Sequence, residues 1–503
     1  MRKAHFVHLA VTAFFVLGLA FALEPGEEEA PFSVRSTVPH PAQILNNGVA
    51  ALELRLEMIE RARKSIDLEY FIFNTDRSGR LIAQALVKKK RENPGIRIRL
   101  LIDGSPTVLQ FDDFYAAELA RHGVEIRYYN PKPLFLLVST QYRNHRKGLI
   151  IDGEEAVTGG RNIADEYFEI SKTYNFNDRD IWIRGPIVAS MQAAFDQYWD
   201  HKRSHPFTAP QEPRGAVHSE AGNAIEDAAL MDFQKKLADA ANFLFVTEED
   251  LALREEVRRQ ARPVLADSRM TGECVEPWYV TDKPGFKKLR NSMAENRVVG
   301  KAIGSRIAAL KKGERLYVES PYFILKEYGR QVFESLVERG VHATLLTNSL
   351  GSTDAFYVAA IFNPRVRQFS EHSNVELYIH SGKAFSDTLY VRDADGKELA
   401  RGSGWGVHAK TNVIGEDSFS IGTFNIDPRS ANINTEEVLF CDRSPALTSV
   451  VRDDVLKRIH ESRLLGQNGR PVDAKGELDG ASTDKVVFYL LSVLPASMLD
   501  FLF

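Results

Sequence analysis

The sequence predicts a duplicated α/β fold, in which each half of the chain forms its own sandwich of strands and helices. Three apolar, strand-like segments occur in the same order in both halves, and a helical pattern precedes the second segment of each set. Strands that alternate with helices are typical of layered α/β domains, and a repeated order of segments indicates a duplication. The paired segments are 67–73 with 316–323, 98–103 with 343–348, and 124–129 with 375–380.

The segments around these strands set the predicted domain boundaries. Apolar residues recur at helical spacing over 81–92 in the first half and over 328–339 in the second. Residues 221–262, rich in Ala, Glu, Leu and Arg, are expected to be helical and to connect the halves. We therefore expect one domain over 42–220 and another over 263–480.

The N-terminus carries a targeting segment. Residues 1–23 begin with Met-Arg-Lys, continue with a nearly unbroken apolar run, and contain Ala20 and Ala22 at a spacing that suits a signal peptidase. Such a segment is compatible with a cleaved signal peptide and with a retained membrane anchor, and both place the body of the protein outside the cytoplasm. The acidic, proline-containing residues 24–41 are expected to form a linker.

The C-terminal segment, residues 481–503, is also apolar. Pro495 and Asp500 interrupt it, which disfavours a membrane-spanning helix. Two interpretations stay open: the segment lies at a membrane interface, or it packs on the protein's own core.

Composition narrows the classes of function. The chain has 503 residues, a formal net charge of −4 and a sequence pI near 6.4. A protein that holds a long polyanion usually has a basic surplus, so a nucleic-acid partner is not expected. Only Cys274 and Cys441 are present, which excludes a disulfide framework and a cysteine-based metal site but leaves one bridge open.

One constellation of residues appears twice. In each copy a lysine follows a histidine by two residues and an asparagine follows it by seventeen. Side chains alternate along an extended chain, so the histidine and the lysine of each copy project to the same side. The residues are His145, Lys147 and Asn162 in the first copy, and His408, Lys410 and Asn425 in the second.

This set of residue types suits phosphodiester chemistry. The reaction needs a nucleophile or base, an acid for the departing alkoxide, and fixed positive groups near the phosphoryl oxygens. Histidine can attack phosphorus or transfer protons, and lysine and asparagine can hold oxygens, so we expect neither a metal nor a cofactor. Gly159, Gly160 and Gly422 are expected to let the backbone come close to a ligand.

These motifs resemble those of the phospholipase D superfamily. His145, Lys147 and Asp152 match the HxKx4D signature, and the Gly-Gly-Arg-Asn that ends at Asn162 is similar to its GGxN sequence. The second copy resembles the cardiolipin synthase and phosphatidyltransferase branch in GTFNIDPRSANINTE, residues 422–436. It departs from the signature at Gly415, which stands where the family has Asp and where we expect a structural role.

The resemblance implies two phospholipase D-like domains that meet around a pseudo-two-fold axis and share one active site. It also implies a carboxylate for each histidine, supplied by the opposite half. We expect Glu436 to orient His145 and Asp180 to orient His408, with Asp178 and Glu437 as close rivals. Asn348 and Asp354 also lie in a stretch similar to this branch and are expected to meet a lipid head group, although turn capping would explain them equally.

The predicted function is transfer of a phosphatidyl group between glycerophospholipids through a phosphohistidine, as in a cardiolipin synthase. By family resemblance His145 attacks and His408 transfers the proton. Phosphatidylglycerol is the expected substrate, phosphatidylethanolamine is a further candidate, and the protein is expected at the membrane on its extracytoplasmic side. Three alternatives stay open: phospholipid hydrolysis to phosphatidic acid, a nucleic-acid phosphodiesterase, which the charge disfavours, and a non-catalytic membrane scaffold, which the six intact motif residues disfavour.

Overall fold

A computed structural model describes residues 32–105, 108–131, 141–213, 220–285, 297–325, 327–355, 372–467, 470–471 and 481–498. The predicted leader, residues 1–23, lies outside these ranges, as do residues 24–31 of the predicted linker and residues 499–503. No helix among the described residues is long and apolar enough to cross a membrane.

The strands of the described chain fall into two large sheets and one short pair. In chain order they are β1 (Phe32–Arg35), β2 (His40–Leu45), β3 (Ser65–Tyr70), β4 (Arg97–Asp103), β5 (Glu125–Tyr129), β6 (Gly148–Ile151), β7 (Glu155–Gly159), β8 (Tyr174–Asn177), β9 (Asp180–Arg184), β10 (Ser204–Pro206), β11 (Thr271–Cys274), β12 (Glu276–Thr281), β13 (Arg315–Glu319), β14 (His342–Asn348), β15 (Val375–His380), β16 (Gly404–Val407), β17 (Thr411–Ile414), β18 (Ser418–Gly422), β19 (Glu437–Asp442), β20 (Arg463–Gln467) and β21 (Arg470–Pro471).

Helices cover both sheets, and short 3₁₀ turns occur at Asp165–Tyr167 and Ser268–Met270. The α-helices of the described chain are α1 (Gly48–Arg61), α2 (Arg77–Glu92), α3 (Asp113–Arg121), α4 (Ile187–Trp199), α5 (Glu220–Leu244), α6 (Glu248–Leu265), α7 (Val299–Ala308), α8 (Glu327–Glu338), α9 (Pro428–Asn432), α10 (Pro445–His460) and α11 (Thr483–Met498).

The two large sheets share one topology, which confirms the predicted duplication. The first has the order β10-β5-β4-β3-β6-β7-β9-β2-β11, and the second has the order β1-β12-β19-β18-β17-β13-β14-β15-β20-β21. In each, three parallel strands, β3 to β5 or β13 to β15, continue into an antiparallel set that includes the strands after the motif. The six predicted strand segments correspond to these parallel strands.

Three large apolar cores, formed by described residues, hold the layers together. Helices α1 to α3 pack on the outer face of the first sheet, and α7 and α8 pack on the second. Between the sheets lies a core that contains side chains of α4 and α10, such as Phe195 and Val451, with Ile181 of the first sheet and Phe419 of the second. Burial of apolar area on this scale is the main stabilising term, about 25 cal/mol per Å². It fixes the two halves against each other.

The chain exchanges strands between the halves, so the domain boundaries differ from those expected. Strand β1, in the predicted linker 24–41, pairs with β12 of the second sheet. Strand β11, in the predicted second domain, pairs with β2 of the first sheet, and the chain crosses to the second sheet at Val275. A disulfide between Cys274 of β11 and Cys441 of β19 joins the two sheets covalently.

The predicted connector forms α5 and α6. A capping box at Thr247, in which its hydroxyl accepts from the Asp250 backbone, starts α6. Leu253, Val257 and Ala261 of this helix belong to the core of the first half. The segment is therefore an integral layer of the first domain.

Candidate active site

Each histidine motif lies just before a strand and is held by the other half of the chain. The His145 amide donates to the Thr435 carbonyl at 2.9 Å, and β6 begins three residues later. The His408 amide donates to the Asn177 carbonyl at 2.8 Å, and the motif lies between β16 and β17. The residues between histidine and lysine, Arg146 and Ala409, are buried on the opposite side, as the alternation of an extended chain predicts.

His145 contacts Glu436, as the resemblance implied. Its Nδ1 lies 2.9 and 3.1 Å from the two carboxylate oxygens. Two hydroxyl groups also donate to this carboxylate, Thr423 at 2.5 Å and Ser430 at 2.7 Å. The carboxylate therefore contacts Nδ1 of His145 and not Nε2. Thr423 and Ser430 were not predicted as site residues, although both belong to the GTFNIDPRS stretch that carried the resemblance.

His408 contacts Asp178, and not Asp180 as predicted. Its Nδ1 lies 2.6 Å from Asp178 Oδ2, so the carboxylate again contacts Nδ1 and not Nε2. Asp180 is instead held by two buried arginines, with Arg55 Nη2 at 2.8 Å and Arg161 Nη1 at 3.3 Å from Oδ2. Asp180, the predicted partner, is therefore part of a buried ion-pair network, and Asp178 is the carboxylate that contacts His408.

Glu437, the other rival, also faces away from the histidines. It accepts hydrogen bonds from Thr158 at 2.8 Å and Tyr279 at 2.6 Å, and it pairs with Arg146 at 3.2 Å. Arg146 also pairs with Glu69. This buried network lies on the side of the first motif opposite to His145 and supports its backbone.

The motif lysines are buried beside their histidines. Lys147 Nζ donates to the His145 carbonyl at 2.7 Å, and Lys410 Nζ lies 2.8 Å from Nδ1 and 3.0 Å from Nε2 of His408. Burial lowers the pKa of Lys147 to about 7 and that of Lys410 to about 8. Each ammonium also interacts electrostatically with both Glu436 and Asp178. The two lysines are therefore influenced by the same pair of carboxylates.

The imidazoles favour the neutral form in the free protein. Burial lowers the pKa of His145 well below its ordinary value, and the nearby charges of Lys147, Lys410 and Arg429 lower it further. Burial and Lys410 lower the pKa of His408 to about 4, against the opposing effect of Asp178. An anionic group placed between the lysines would offset their charge and raise both pKa values.

The two carboxylates differ in protonation. Burial raises the pKa of Glu436 to about 7, and Lys147 and the hydroxyl donors only partly oppose this. For Asp178 burial acts in the same direction, but His408 and Lys410 overcome it and hold the pKa below its ordinary value. Asp178 is therefore a permanent anion near neutral pH, whereas Glu436 is close to its titration point.

Aromatic rings enclose both histidines. Phe71 meets His145 edge to face, with ring centroids 5.1 Å apart. Tyr167 and Phe176 lie 5.0 and 4.8 Å from His408. The side chains of His145 and His408 are only 9% and 7% exposed, so they sit in a site with little access to water.

The two motif asparagines differ in their hydrogen bonds. Asn162 accepts a hydrogen bond from the Ile72 amide at 3.1 Å, and its side chain also bonds to Tyr167. Asn425 is buried, and among the described residues its Oδ1 has no hydrogen-bond partner. Within the described part of the chain, Asn425 Oδ1 is therefore free to accept a hydrogen bond.

The motif glycines were expected to make room for a ligand, but each lies against other residues of the protein. A Cβ at Gly160 would lie 2.1 Å from Asp178 Oδ1, so glycine makes room for the carboxylate that contacts His408. A Cβ at Gly159 would lie 2.3 Å from Asp180 Oδ1, and one at Gly422 would lie 2.3 Å from the Glu437 carbonyl. These positions let neighbouring strand residues come close.

Asp152 supports a turn in the first half, and backbone hydrogen bonds take the place of its carboxylate in the second half. Its carboxylate accepts from the amides of Arg63, Lys64 and Ser65, which lead into β3. Gly415, its counterpart, has the same left-handed backbone, with φ 67° against 58°. In the second half the equivalent turn bonds to backbone carbonyls, including Gly313 to Gly340 at 3.1 Å.

Asn348 and Asp354 have separate positions. Asn348 is buried and bonds to both the amide and the carbonyl of Val407 at 2.8 Å, which fixes the residue before His408. This structural contact replaces the predicted contact with a head group. Asp354 is exposed, accepts from Tyr322 at 2.9 Å, and lies within electrostatic reach of His408. It remains at the edge of the site.

The described residues contain no cluster of three or more His, Cys, Asp or Glu side chains that could hold a metal ion. The site brings together two imidazoles, two buried ammonium groups and two carboxylates. Each half supplies one histidine together with the carboxylate that contacts the histidine of the other half.

Comparisons with known proteins agree with this architecture. The family described as "Cardiolipin synthase, PLD-like domain" matches residues 56–199 and 307–457. The chain is 30% identical to cardiolipin synthase C of Escherichia coli over 79% of its own length and 81% of that protein, and 24% identical to the cardiolipin synthase of Halalkalibacterium halodurans over 84% and 67%. The phosphatidylserine synthase of Haemophilus influenzae has a similar fold, with a TM-score of 0.61, 14% identity, and coverage of 93% and 97% of the two chains.

Proposed function

The chain belongs to the cardiolipin synthase family of phospholipase D-like proteins, and from that membership we propose that it is a phosphatidyltransferase that makes cardiolipin. The observation that carries the proposal is the reciprocal pairing at the site. His145 contacts Glu436, and His408 contacts Asp178, so both halves are needed for either histidine. Such base and carboxylate pairs orient an imidazole and fix its tautomer.

In the first step Nε2 of His145 attacks the phosphorus of a glycerophospholipid. A nitrogen–phosphorus bond forms while the bond from phosphorus to the head-group oxygen breaks, and His408 gives its proton to that departing oxygen. Attack requires a neutral imidazole, which the lowered pKa of His145 supports. The product is a phosphatidyl-histidine and a free alcohol.

The assignment of the acid to His408 is supported by its carboxylate. A histidine that carries a proton to a leaving group is most stable as an imidazolium beside an ionised partner. Asp178 stays ionised, whereas burial raises the pKa of Glu436 to about 7. The bound phosphodiester offsets the lysine charges and so raises the pKa of His408 into a useful range.

In the second step His408 removes the proton from a primary hydroxyl of the acceptor lipid. The hydroxyl oxygen attacks phosphorus, the bond to His145 breaks, and the free histidine is restored. With phosphatidylglycerol as the acceptor the product is cardiolipin; with water it would be phosphatidic acid. Aromatic rings around the histidines and their low exposure favour a lipid acceptor over water.

Positive and polar groups hold the phosphoryl oxygens as charge builds on them. Lys147 and Lys410 reach the site from the two halves. The side-chain NH2 group of Asn425 is the further donor, because its Oδ1 can only accept hydrogen bonds. Preorganised groups of this kind act strongly where water is excluded. Asn162, which is bonded to Ile72 and Tyr167, contributes mainly by shaping the wall near His408.

The substrates and the location belong to the proposal. Phosphatidylglycerol serves as the acceptor, and either phosphatidylglycerol or phosphatidylethanolamine serves as the donor. The apolar leader and the Cys274–Cys441 disulfide support a position at the membrane on its extracytoplasmic side, because disulfides persist in oxidising compartments.

The test supplies the purified protein with phosphatidylglycerol, alone and together with phosphatidylethanolamine, in mixed micelles, and identifies the products by mass. We expect cardiolipin, with glycerol or ethanolamine as the leaving alcohol. His145→Ala and His408→Ala should each abolish turnover, while His342→Ala, at an exposed histidine on β14, should not. Phosphatidic acid as the only product would contradict transfer, and turnover in both active-site variants would contradict the mechanism.

A further inference from the structure

Helix α11 has one apolar face that the protein leaves uncovered. Val487, Leu490 and Leu491 are 48%, 62% and 65% exposed. Their spacing of three and four residues places them on one side of the helix. The opposite side is half-buried against the protein through Lys485, Val486, Phe488 and Tyr489.

The same helix is attached beside the active site. Lys485 Nζ donates to the carbonyls of Gly351 at 2.9 Å and Thr353 at 2.8 Å, in the segment that follows β14. β14 ends at Asn348, whose side chain holds Val407, the residue before His408. A short series of hydrogen bonds therefore connects the start of α11 to the second histidine motif.

Charge and length suit a helix that lies along a lipid surface. Residues 486–499 contain no charged side chain. The sixteen residues of α11 rise about 24 Å, less than the ~30 Å of a bilayer hydrocarbon core. An apolar helix that is too short to span the bilayer can bury its exposed side at the boundary between head groups and acyl chains.

We propose that the apolar face of α11, formed by Val487, Leu490 and Leu491, inserts into the interfacial layer of a phospholipid bilayer and holds the mouth of the active site against it. The inference rests on the proposed function, because a lipid substrate must pass from the bilayer to His408. Within the described side chains of α11, the three exposed apolar groups are too few for a stable protein interface, which needs roughly 1,000 Å² or more, but shallow insertion into lipid requires no such area.

The direct test is a fluorescent probe on the full-length protein with its disulfide intact. Leu490→Cys is labelled with an environment-sensitive dye and mixed with vesicles of phosphatidylethanolamine and phosphatidylglycerol that carry brominated acyl chains. We expect a blue shift and strong bromine quenching. Leu251→Cys, at an exposed leucine of α6, is the matched control and should show neither. An unquenched probe at 490, or equal quenching at 251, would overturn the proposal.

A comparison of transfer rates on vesicles and on monomeric lipid distinguishes membrane docking from catalysis. The double variant Leu490→Asp with Leu491→Asp should lose roughly tenfold or more of its transfer rate on vesicles. It should keep the wild-type rate on short-chain phosphatidylglycerol dispersed as monomers, and Leu251→Asp should match the wild type on both. Quenching at 490 in a protein that transfers nothing would refute the proposed function and leave docking intact. Equal vesicle rates for the double variant and the wild type would refute docking.

Discussion

Replacing each of two nearby aspartates should separate catalysis from stability. Asp178 and Asp180 are both buried and lie two residues apart, yet only Asp178 contacts His408. Asp180 instead pairs with Arg55 and Arg161. Asp178→Asn and Asp180→Asn are isosteric and each remove one charge, so they form a matched pair.

Asp178→Asn should leave the fold intact and reduce turnover severely. The 2.6 Å contact with His408 Nδ1 orients the ring and stabilises its imidazolium, and the amide retains the shape but not the charge. Loss of the carboxylate from such a pair lowers kcat by roughly 10³- to 10⁴-fold in enzymes that use one. By the usual conversion this is about 4–5 kcal/mol of transition-state stabilisation.

Asp180→Asn should have the opposite profile. It leaves Arg55 without its anionic partner in a site where the arginine side chain is 3% exposed. Breaking a buried ion pair from one side costs about 3–5 kcal/mol of the free energy of unfolding. The folded fraction should retain most of its turnover.

The assay combines the rate of cardiolipin formation with thermal unfolding followed by circular dichroism. Asp178→Asn should lose rate with an unchanged midpoint, and Asp180→Asn should unfold at a lower temperature while its rate per folded molecule persists. An active Asp178→Asn enzyme, or a stable Asp180→Asn enzyme without activity, would refute this assignment of the two carboxylates.

Three further outcomes are expected. Because burial lowers the pKa of Lys147 to about 7 and that of Lys410 to about 8, raising the pH removes positive charge from the free site, and kcat/KM should fall between about pH 7 and 9; a flat or rising profile would contradict this. Thr423→Val removes a donor from the carboxylate that contacts the first histidine and should lower kcat with little change in KM, whereas Thr423→Ser should restore it. Replacing Cys274 and Cys441 together with serine should reduce the free energy of unfolding by about 2–4 kcal/mol in a chemical denaturation curve, and an unchanged midpoint would count against a stabilising bridge.

The sequence predicted the duplicated strands, their order and the contact between His145 and Glu436 because each depends on a local or repeated pattern. Apolar periodicity defines a strand from its own residues, and the motif spacing places a histidine at the same point of each half. The topology of the two sheets follows from this repetition. The strand exchange by β1 and β11 does not, because both are four-residue edge strands whose partners lie in the other half.

The choice between Asp178 and Asp180 could not be made from the sequence. Two residues apart on an extended chain, both carboxylates project to the same side, so their local patterns are equivalent. Arg55 and Arg161 decide the outcome, because they neutralise Asp180 from α1 and from the loop after β7. The structural role of Asn348 could not be predicted for a similar reason, because its hydrogen bonds to Val407 form only when β14 and β16 come together.

The asymmetry of the two carboxylates gives a physical reason for unequal roles in a symmetric fold. In the first half Gly160 leaves room for the short side chain of Asp178, whose charge is stabilised by His408 and Lys410. In the second half Thr423 occupies the equivalent motif position and donates to Glu436, which burial keeps near its titration point. A duplicated site would otherwise offer two equivalent histidines. In the proposed mechanism these differences between the halves would favour the imidazolium form of His408 and attack by His145, so that the repeated halves work in a single direction.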